Sequence, residues 1–494
     1  MKRKSIILTA GLVLTLVLCA LFISGCRNTD TDKAGAQQNQ TGEEEEVISL
    51  AIFSDVHYGQ PISSNGDEGV ELSDPEGKLR KALETYYKMA PELDAICVAG
   101  DLTDNGKDAE YQAVTELIQS YIQKNKADTK VLYTMGNHEF YAKGWGYGVG
   151  NLGEGSLFQS QFEKMTGSPA TAELVVGGVH ILGFSPDDEM DAFAPREEWL
   201  MERIKAAAQE DPGKPIILIG HKAIENTVVG SSPATKTYTD PVTKQKYEKR
   251  TGNCADWSQE FLDFLKDYPQ TLYFSGHTHH LISDPLSIHQ DYITSLQCGT
   301  LGSTTGFRDT SGFYQRYGRS MGYLVTIDSK NVVTINKMNF TDDTTYGEPY
   351  VLDIPKIVED SASSFQFTDK RFEESKPPVF DSAAKLEVEC QDESVRVKWP
   401  EAKLAEDDQV SNFILMYKVK IFDYKKNQYV YDYDAPVKSD YFAHYTPYYS
   451  AEIGDTCEEF LEDILYKGRQ YRAEVIAITP YNVESEPLTV DFNC

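Results

Sequence analysis

Residues 47–57 read VISLAIFSDVH, in which the apolar run Val47–Phe53 leads directly into a polar turn that contains Asp55 and His57. The run shows no regular alternation of polar and apolar residues, which is typical of a strand covered on both faces. Two potential metal ligands follow its carboxyl end. The stretch predicts an α/β domain with polar chemistry at the end of a buried strand.

Four further apolar runs have the same form, and amphipathic stretches lie between them. This alternation of strand and helix patterns is typical of an α/β domain. The runs are Ala95–Ala99, Val131–Met135, Pro215–Ile219 and Thr271–Phe274, and the candidate helices are Lys78–Met89, Ala109–Gln123 and Glu197–Ala208.

Each of the five runs is followed within a residue or two by a carboxylate, an imidazole or an amide, and glycine precedes four of these groups. Loops at the carboxyl ends of strands converge, so we expect the side chains to meet. Extended backbone would direct residues i and i+2, such as Asp55 and His57, to the same side. The candidate ligands are Asp55, His57, Asp101, Asn137, His221, His277 and His279.

These ligand types indicate a particular kind of metal site. Imidazole and oxygen ligands without thiolate suit Zn, Fe, Mn or Co, and do not suit a structural cysteine-rich zinc site. A carboxylate such as Asp101 can bridge two ions. Two ions about 3.5–4 Å apart can clamp a phosphoryl group and activate water at neutral pH.

Together, the five blocks resemble the calcineurin-like metallophosphoesterase superfamily over roughly residues 47–340. The resemblance rests on Asp55-x-His57, Gly100-Asp101-x-x-Asp104, Gly136-Asn137-His138-Glu139, His221 and Gly276-His277-x-His279. It implies a four-layer α/β/β/α sandwich with two mixed sheets and two divalent or trivalent ions (Mn, Fe or Zn). Asp55, His57, Asp101 and His279 would hold the first ion, and Asp101 would bridge to a second ion held by Asn137, His221 and His277.

The same resemblance implies two catalytic roles. His138 would protonate the leaving-group oxygen, and Asp104 would orient and charge its imidazole. The implied reaction is in-line attack on the phosphorus of a mono- or diester by a hydroxide that bridges the ions. A small phosphate ester is therefore the expected substrate.

The composition restricts the partners. The chain has 77 acidic against 47 basic residues and a formal net charge of -30. Such a field repels polyanions that need clustered Lys and Arg, which argues against long nucleic acid. A small phosphate ester remains compatible because bound cations invert the local potential.

The first 26 residues have the form of a targeting segment. A basic head precedes an apolar run from Ile6 to Ile23, and Ser24-Gly25-Cys26 resembles a bacterial lipobox. This predicts a lipoprotein signal peptide at residues 1–26, lipidation of Cys26 and an extracytoplasmic location on the bacterial cell membrane. An uncleaved signal anchor is the alternative. Residues 27–46 are predicted to be a disordered acidic tether.

Composition changes again toward the C-terminus. Residues 341–380 predict a linker, and residues 381–494 predict an all-β module that resembles a fibronectin type III domain. Val395-Arg396-Val397-Lys398-Trp399, Tyr471 with the residues around it, and Ser485-Glu486-Pro487 carry that resemblance. The module could contact a cell-surface partner.

The cysteines show no CxxC spacing, so neither a zinc knuckle nor a redox pair is indicated. Cys97 lies in an apolar run and is predicted to be buried. A disulfide such as Cys390–Cys457 or Cys457–Cys494 is compatible with an extracytoplasmic location, and the sequence does not choose between pairings.

Further candidate substrate elements are weaker, and each could be an ordinary surface loop. They are the loop Phe140–Leu157 with Trp145, the basic insertion between Thr227 and Cys254 with Lys236, Lys244, Lys246, Lys249 and Arg250, and the pair Arg308 and Arg316. His180, His280, His289 and His444 are predicted to be structural or exposed.

The function predicted from these patterns is an extracellular, lipid-anchored, metal-dependent phosphoesterase. The alternative is a catalytically inactive surface lipoprotein with a binding or adhesion role.

Overall fold

The structure is a computed structural model that describes residues 47–61, 63–64, 71–141, 155–186, 194–231, 233–239, 246–302, 304–308, 314–317, 319–391, 394–437, 456–462, 466 and 468–494. These residues belong to one compact unit, Glu45–Cys494. The predicted signal peptide with Cys26, the tether 27–46, Trp145, Lys244 and His444 lie outside the described residues. Within the described ranges, no helix combines the length and the apolar character that crossing a bilayer requires.

The elements are numbered in chain order. The strands are β1 Ile48–Phe53, β2 Ser63–Ser64, β3 Glu71–Ser73, β4 Ala95–Ala99, β5 Lys130–Thr134, β6 Thr171–Val176, β7 Val179–Phe184, β8 Ile216–Ile219, β9 Pro233–Thr239, β10 Lys246–Gly252, β11 Thr271–Ser275, β12 Ile288–Gln290, β13 Thr294–Gln297, β14 Thr304–Arg308, β15 Tyr314–Tyr317, β16 Met321–Ile327, β17 Val332–Asn339, β18 Thr344–Thr345, β19 Tyr350–Asp353, β20 Glu387–Gln391, β21 Ser394–Pro400, β22 Met416–Asp423, β23 Gln428–Val437, β24 Thr456–Glu462, β25 Gln470–Ile478 and β26 Leu488–Asn493.

The helices are α1 Pro75–Met89, α2 Asp108–Asn125, α3 Gly155–Thr166, α4 Ala194–Glu210, α5 Gln259–Leu265, α6 Ile354–Glu359, α7 Ser361–Ser364 and α8 Lys370–Glu374. Short 3-10 turns cover His138–Phe140 and Pro285–Ser287. The five predicted strands and three predicted helices are therefore confirmed, with ends that shift by a few residues.

Two mixed sheets form the first domain. One has the order β18-β17-β16-β1-β4-β5, with β19 also paired to β17, and the other has the order β12-β13-β11-β8-β7-β6. In the first sheet β1, β4 and β5 are parallel, and in the second β7, β8, β11 and β13 are parallel. The carboxyl ends of each parallel set therefore lie at one edge of its sheet.

Each sheet has one face toward the other sheet and one face toward helices. Leu50 and Cys97 of the first sheet share a core with Ile217 and Phe274 of the second. On the outer faces, α1 and α2 cover the first sheet, whereas α4 and α5 cover the second. The layers are therefore helix, sheet, sheet and helix. Because each central strand is covered on both faces, its sequence is apolar throughout and does not alternate between polar and apolar residues.

The C-terminal module consists of two antiparallel sheets with the orders β20-β21-β24 and β23-β22-β25-β26. Trp399, Tyr417 and Tyr471 are fully buried between them. The hydroxyl of Tyr471 accepts a hydrogen bond from Tyr466 N at 2.8 Å. The all-β prediction is confirmed, and the fibronectin type III resemblance stays a prediction.

The disulfide of this module differs from both pairings that the sequence suggested. Cys390 is bonded to Cys494, with 5.6 Å between the Cα atoms. The suggested pairings through Cys457 are therefore wrong. β20 and β26, the first and last strands of the module, are edge strands of its two different sheets and contact each other. Cys97 and Cys298 are buried free thiols, and Cys254 is buried as well.

Residues 341–380 have the composition of a linker but contain regular structure. β19 extends the first sheet through pairs such as Ile335 with Tyr350, and α6 follows directly. Leu352, Ile354 and Ile357 are buried in the core between the two sheets. A few well-placed apolar residues are enough to add this segment to the first domain, which average composition does not reveal.

The segment also carries the junction with the C-terminal module. Arg371 of α8 is buried, and its guanidinium donates to Pro285 O at 2.6 Å and Ile288 O at 2.8 Å. It lies 5.7 Å from the ring centre of Tyr481 in the module. Asn412 donates to Ser283 O at 2.7 Å. The module is thus attached to the loop that follows His279.

Candidate metal centre

Backbone conformation at the centre is unusual. Asp55, His57, Asp101, His277 and His279 have φ values of 55°, 49°, 48°, 70° and 56°. The expectation that Asp55 and His57, like His277 and His279, reach the same side through extended backbone is therefore wrong. Left-handed turns direct these side chains instead. Such conformations are uncommon for residues other than glycine and concentrate at functional sites.

Two glycines allow the loops to approach closely. A Cβ on Gly100, whose φ is 83°, would lie 2.4 Å from His221 Nδ1. A Cβ on Gly276 would lie 1.8 Å from Ser54 Oγ and 2.5 Å from Asp55 Oδ2. Only a residue without a side chain fits at these positions.

The first group of ligand atoms contains Asp55, His57, Asp101 and His279, whose atoms all lie within 4.8 Å of one another. His279 Nε2 is 2.9 Å from Asp55 Oδ1 and 3.2 Å from His57 Nε2. His57 Nε2 is 3.9 Å from Asp101 Oδ2. These are the four residues that the resemblance assigns to the first ion.

The second group contains Asp101, His221 and His277. His221 Nε2 is 3.2 Å from Asp101 Oδ2, 3.2 Å from His277 Nδ1 and 3.1 Å from Asn137 Oδ1. Asp101 belongs to both groups, as a bridging carboxylate would. All seven predicted ligands therefore meet at one place, although their role in binding ions stays a prediction.

The arrangement of nitrogen atoms fits cations. Two imidazole pairs, His57 with His279 and His221 with His277, each bring ring nitrogens to 3.2 Å within a largely buried site. Two lone pairs at this distance need a proton or a cation between them. His221 Nδ1 donates to Ala99 O at 2.9 Å, which leaves its Nε2 with the lone pair whenever the ring is neutral.

The electrostatics of the site favour an ionised Asp101 and neutral imidazoles at His57 and His277, which are the protonation states that can bind a metal ion. Burial alone would raise the pKa of Asp101, but the imidazoles of His221 and His138 outweigh it and hold the pKa well below its usual range. Burial lowers the pKa of His57 to about 3, and burial also lowers the pKa of His277. The carboxylate is therefore ionised and these two imidazoles are neutral at physiological pH, as metal binding requires.

His221 behaves differently in the metal-free site. Burial opposes its protonation, but the carboxylates of Asp101 and Asp55 outweigh burial and raise the pKa of His221 to about 10. A proton on this ring is what a cation would have to displace.

His138 lies beside the two groups and is tied to them. Its backbone N donates to Asp101 Oδ1 at 2.8 Å, and its Nδ1 donates to the main-chain oxygen of Asp104 at 2.8 Å. The Asp104 carboxylate is farther away, with Oδ1 at 3.8 Å from the same nitrogen. The direct hydrogen bond that orients His138 thus comes from the Asp104 main chain. The assigned roles of both residues stay predictions.

Residues 48–281 match the family model described as calcineurin-like phosphoesterase. The matched region contains all seven candidate ligands, from Asp55 to His279. No curated protein matches the sequence.

Solved structures show distant similarity to the chain. A dimetal phosphatase from Danio rerio has a TM-score of 0.38 at 11% identity, and the match covers 62% of this chain and 99% of that one. A purple acid phosphatase from yellow lupin has a TM-score of 0.41 at 16% identity, with 63% and 54% covered. A putative 5'-nucleotidase from Staphylococcus aureus has a TM-score of 0.31 at 11% identity, with 76% and 74% covered.

Glu139, which lies in the matched region, is a positioning residue that the sequence prediction left without a role. Its buried carboxylate accepts from Gly136 N at 2.6 Å, Asp101 N at 3.1 Å and Thr103 N at 2.9 Å. It therefore joins the loop after β4, which carries Asp101, to the loop after β5, which carries Asn137. The signal that could have found it is an acidic residue directly after the Asn-His pair in an otherwise buried turn.

The other histidines that can be placed lie outside the two groups. His180 pairs with Glu173 at 2.7 Å, and His289 pairs with Asp369 at 3.0 Å. His280 is half-buried next to His279, and desolvation lowers its pKa to about 4. Lys236, Lys246, Lys249 and Arg250 fall on strands β9 and β10, and Arg308 and Arg316 fall on β14 and β15.

Proposed function

We propose that this protein is an extracytoplasmic, lipid-anchored, metal-dependent phosphoesterase that hydrolyses small phosphate mono- or diesters. The observation that carries the proposal is the double group of ligand atoms that shares Asp101 inside the matched region. Asp55, His57 and His279 would complete one ion site, and Asn137, His221 and His277 the other. When bound, Mn, Fe or Zn ions would supply a hydrolytic nucleophile at neutral pH and offset phosphoryl charge.

The protein's own residues would then place and protonate the ester. His138 Nε2 lies 4.0 Å from Asp101 Oδ2, so this ring nitrogen faces the shared carboxylate while Nδ1 is held by Asp104. A proton on Nε2 can pass to the departing alkoxide. Glu139 keeps Asp101 and the loop of Asn137 at a constant separation, so less reorganisation is needed during the reaction.

The location rests on different support. The lipobox-like Ser24-Gly25-Cys26 follows an apolar run, and the disulfide Cys390–Cys494 belongs to an oxidising compartment. The lipid would attach the protein to the membrane, and the C-terminal module would be free to meet a cell-surface partner. Replacing Cys26 by Ser should move the protein out of the membrane fraction and abolish labelling by a radioactive fatty acid. Retained labelling would remove the lipid anchor from the proposal.

The alternative is an inactive surface lipoprotein with a binding or adhesion role. It would require the loss of some of the residues that bind the ions or protonate the leaving group. The seven candidate ligands, His138 and Asp104 all lie together, which speaks against decay.

Hydrolysis of p-nitrophenyl phosphate and bis-p-nitrophenyl phosphate with added Mn²⁺ tests the proposal. We expect His138→Ala and Asp101→Asn each to lower turnover at least about a hundredfold, since one removes the acid and the other the shared carboxylate. His289→Ala is the matched control, because its imidazole lies outside the site. Unchanged turnover in both site variants would refute the mechanism, and the bis ester separates diesterase from monoesterase activity.

A further inference from the structure

A third group of potential ligand atoms adjoins the first one. It contains His57, Asp104 and His138, and one ring nitrogen or carboxylate oxygen of each lies within 4.8 Å of the others. His57 also belongs to the first group, so its imidazole connects the two. Neither Asp104 nor His138 is assigned to an ion. The way in which His57 divides its ring nitrogens between the groups therefore determines what Asp104 can do.

The two ring nitrogens of His57 face different groups. Nε2 lies 3.2 Å from His279 Nε2 and 3.8 Å from Asp55 Oδ1, among the ligands of the first group. Nδ1 lies 3.7 Å from Asp104 Oδ1. An ion in the first site would therefore bind Nε2, and the proton of the neutral ring would then be on Nδ1.

Nδ1 of His57 is a buried atom without a hydrogen-bond partner among the residues that the structure describes. The residue is only 4% exposed, so bulk solvent does not supply an acceptor. A buried N–H group without an acceptor is destabilising. Imidazoles that bind metal ions donate their second N–H to a carboxylate, a main-chain oxygen or a water. His57 therefore needs an acceptor on its Nδ1 side.

His221 in the second group shows the arrangement that His57 lacks. Its Nδ1 donates to Ala99 O at 2.9 Å, while its Nε2 faces Asp101. The acceptor that faces Nδ1 of His57 is the carboxylate of Asp104. The gap of 3.7 Å is longer than a direct hydrogen bond, and a small rotation of the Asp104 side chain or one bridging water would close it.

His138 already uses its Nδ1 proton elsewhere. This nitrogen donates to the main-chain oxygen of Asp104 at 2.8 Å, whereas the Asp104 carboxylate lies 3.8 Å away. A ring nitrogen carries a single proton, so the shorter bond takes it. The carboxylate itself is held in place through Oδ2, which accepts from Asn105 Nδ2 at 2.9 Å. Its Oδ1 is therefore in a position to serve His57.

We propose that Asp104 is a positioning residue for the first ion, because its carboxylate accepts the Nδ1 proton of His57. Such a bond fixes the tautomer and the orientation of the ligand and makes its Nε2 a stronger donor to the ion. The family resemblance assigns the same carboxylate to His138, so the two assignments predict different defects in one variant. This inference rests on the proposed metal-dependent function.

Calorimetric titration of the metal-free protein with Mn²⁺ tests the proposal. Asp104→Ala should weaken the binding of one of the two ions by about 10- to 100-fold and leave the other unchanged. Its loss of p-nitrophenyl phosphate hydrolysis should shrink as the Mn²⁺ concentration is raised. Asp104→Asn keeps one acceptor oxygen for two donors, His57 and Asn105, so it should weaken the same ion by at least about threefold. This second variant keeps the test decisive if the alanine variant fails to fold.

Asp108→Ala is the matched control, because it removes a carboxylate four residues further along that accepts from Gln161 Nε2 at 2.6 Å. It should bind both ions as the wild type does, and an equal loss of affinity would show a general charge effect and overturn the proposal. Unchanged affinities in Asp104→Ala would also overturn it, and a lower kcat at saturating Mn²⁺ would then assign the carboxylate to His138. If the wild type bound no Mn²⁺, the metal-dependent function itself would fail, and this inference with it.

Discussion

The metal centre and the junction around Arg371 both bury charge, but they balance it in opposite ways. At the junction, one guanidinium donates to main-chain oxygens of Pro285, Ile288 and Phe367. At the metal centre, the buried carboxylates of Asp55 and Asp101 face imidazole nitrogens, and pairs of these nitrogens also face each other.

The difference shows which buried charges serve structure and which serve binding. A buried charge is costly unless it is hydrogen-bonded, and Arg371 meets this condition with groups that every peptide chain supplies. At the metal centre, a proton on His221 and backbone hydrogen bonds from His138 N and His277 N balance the carboxylates. The facing ring nitrogens of the two histidine pairs are not balanced in this way, and the backbone turns carry positive φ values. This arrangement supports the proposed binding of cations, because strained turns concentrate at functional sites.

Among the substitutions that test this difference between the metal centre and the junction, we expect Glu139→Gln to have the largest effect on metal binding. The amide keeps the shape of the side chain, but its NH2 group replaces one of the two carboxylate oxygens. That oxygen accepts either from Gly136 N and Asp101 N or from Thr103 N, so the NH2 group would face backbone donors. We expect about 10- to 100-fold weaker metal binding and a similar loss of kcat/KM. Metal content after dialysis against a fixed Mn²⁺ concentration and p-nitrophenyl phosphate hydrolysis measure the two effects.

Glu197→Gln is the matched control for this experiment. Glu197 is also a buried carboxylate, and it accepts from Ser258 N at 2.7 Å and from Ser258 Oγ, at the start of α5. Its replacement should lower the melting temperature and leave metal content unchanged. Equal metal loss in both variants would mean that Glu139 acts on general stability alone.

The pH dependence of metal binding is the second prediction. The pKa of His221 is raised to about 10 in the metal-free site, so this ring holds a proton at all lower pH values and a cation must release it. Apparent affinity should therefore fall about tenfold for each pH unit below about 10, as one proton competes with the ion. Calorimetry between pH 6.5 and 8.5 in buffers of different ionisation enthalpy measures both affinity and proton release. An affinity independent of pH would contradict the assigned proton.

Replacing Arg371 by Met should have the smallest effect on the metal centre. The apolar stem is kept, but the carbonyl groups of Pro285, Ile288 and Phe367 lose their donor. We expect the free energy of unfolding to fall by about 2–4 kcal/mol with metal content unchanged. Urea denaturation and metal analysis measure the two quantities.

Arg80→Met is the comparison for this variant, because Arg80 pairs with Glu76 at the surface and should contribute less than about 1 kcal/mol. If Arg371→Met lost metal before it lost stability, the junction would belong to the site and the contrast would fail.

Much of the fold could be predicted from local patterns. Strands β1, β4, β8 and β11, and the last three residues of β5, are buried on both faces, so each needs a continuous apolar run that the sequence displays directly. The residues 350–357 escaped prediction because only a few apolar side chains attach them to the core. The turns at Asp55 and His57 escaped it because non-glycine residues adopt positive φ only where surrounding contacts enforce it.

The sequence by itself determined which side chains could bind cations and that each follows the end of a strand, since ligand type and apolar run are both local properties. Tertiary structure alone decided that Glu139 links two loops, that Cys390 meets Cys494 and that Lys236 stands opposite Lys249. These pairings depend on backbone direction and on contacts between distant segments, and no local pattern encodes either.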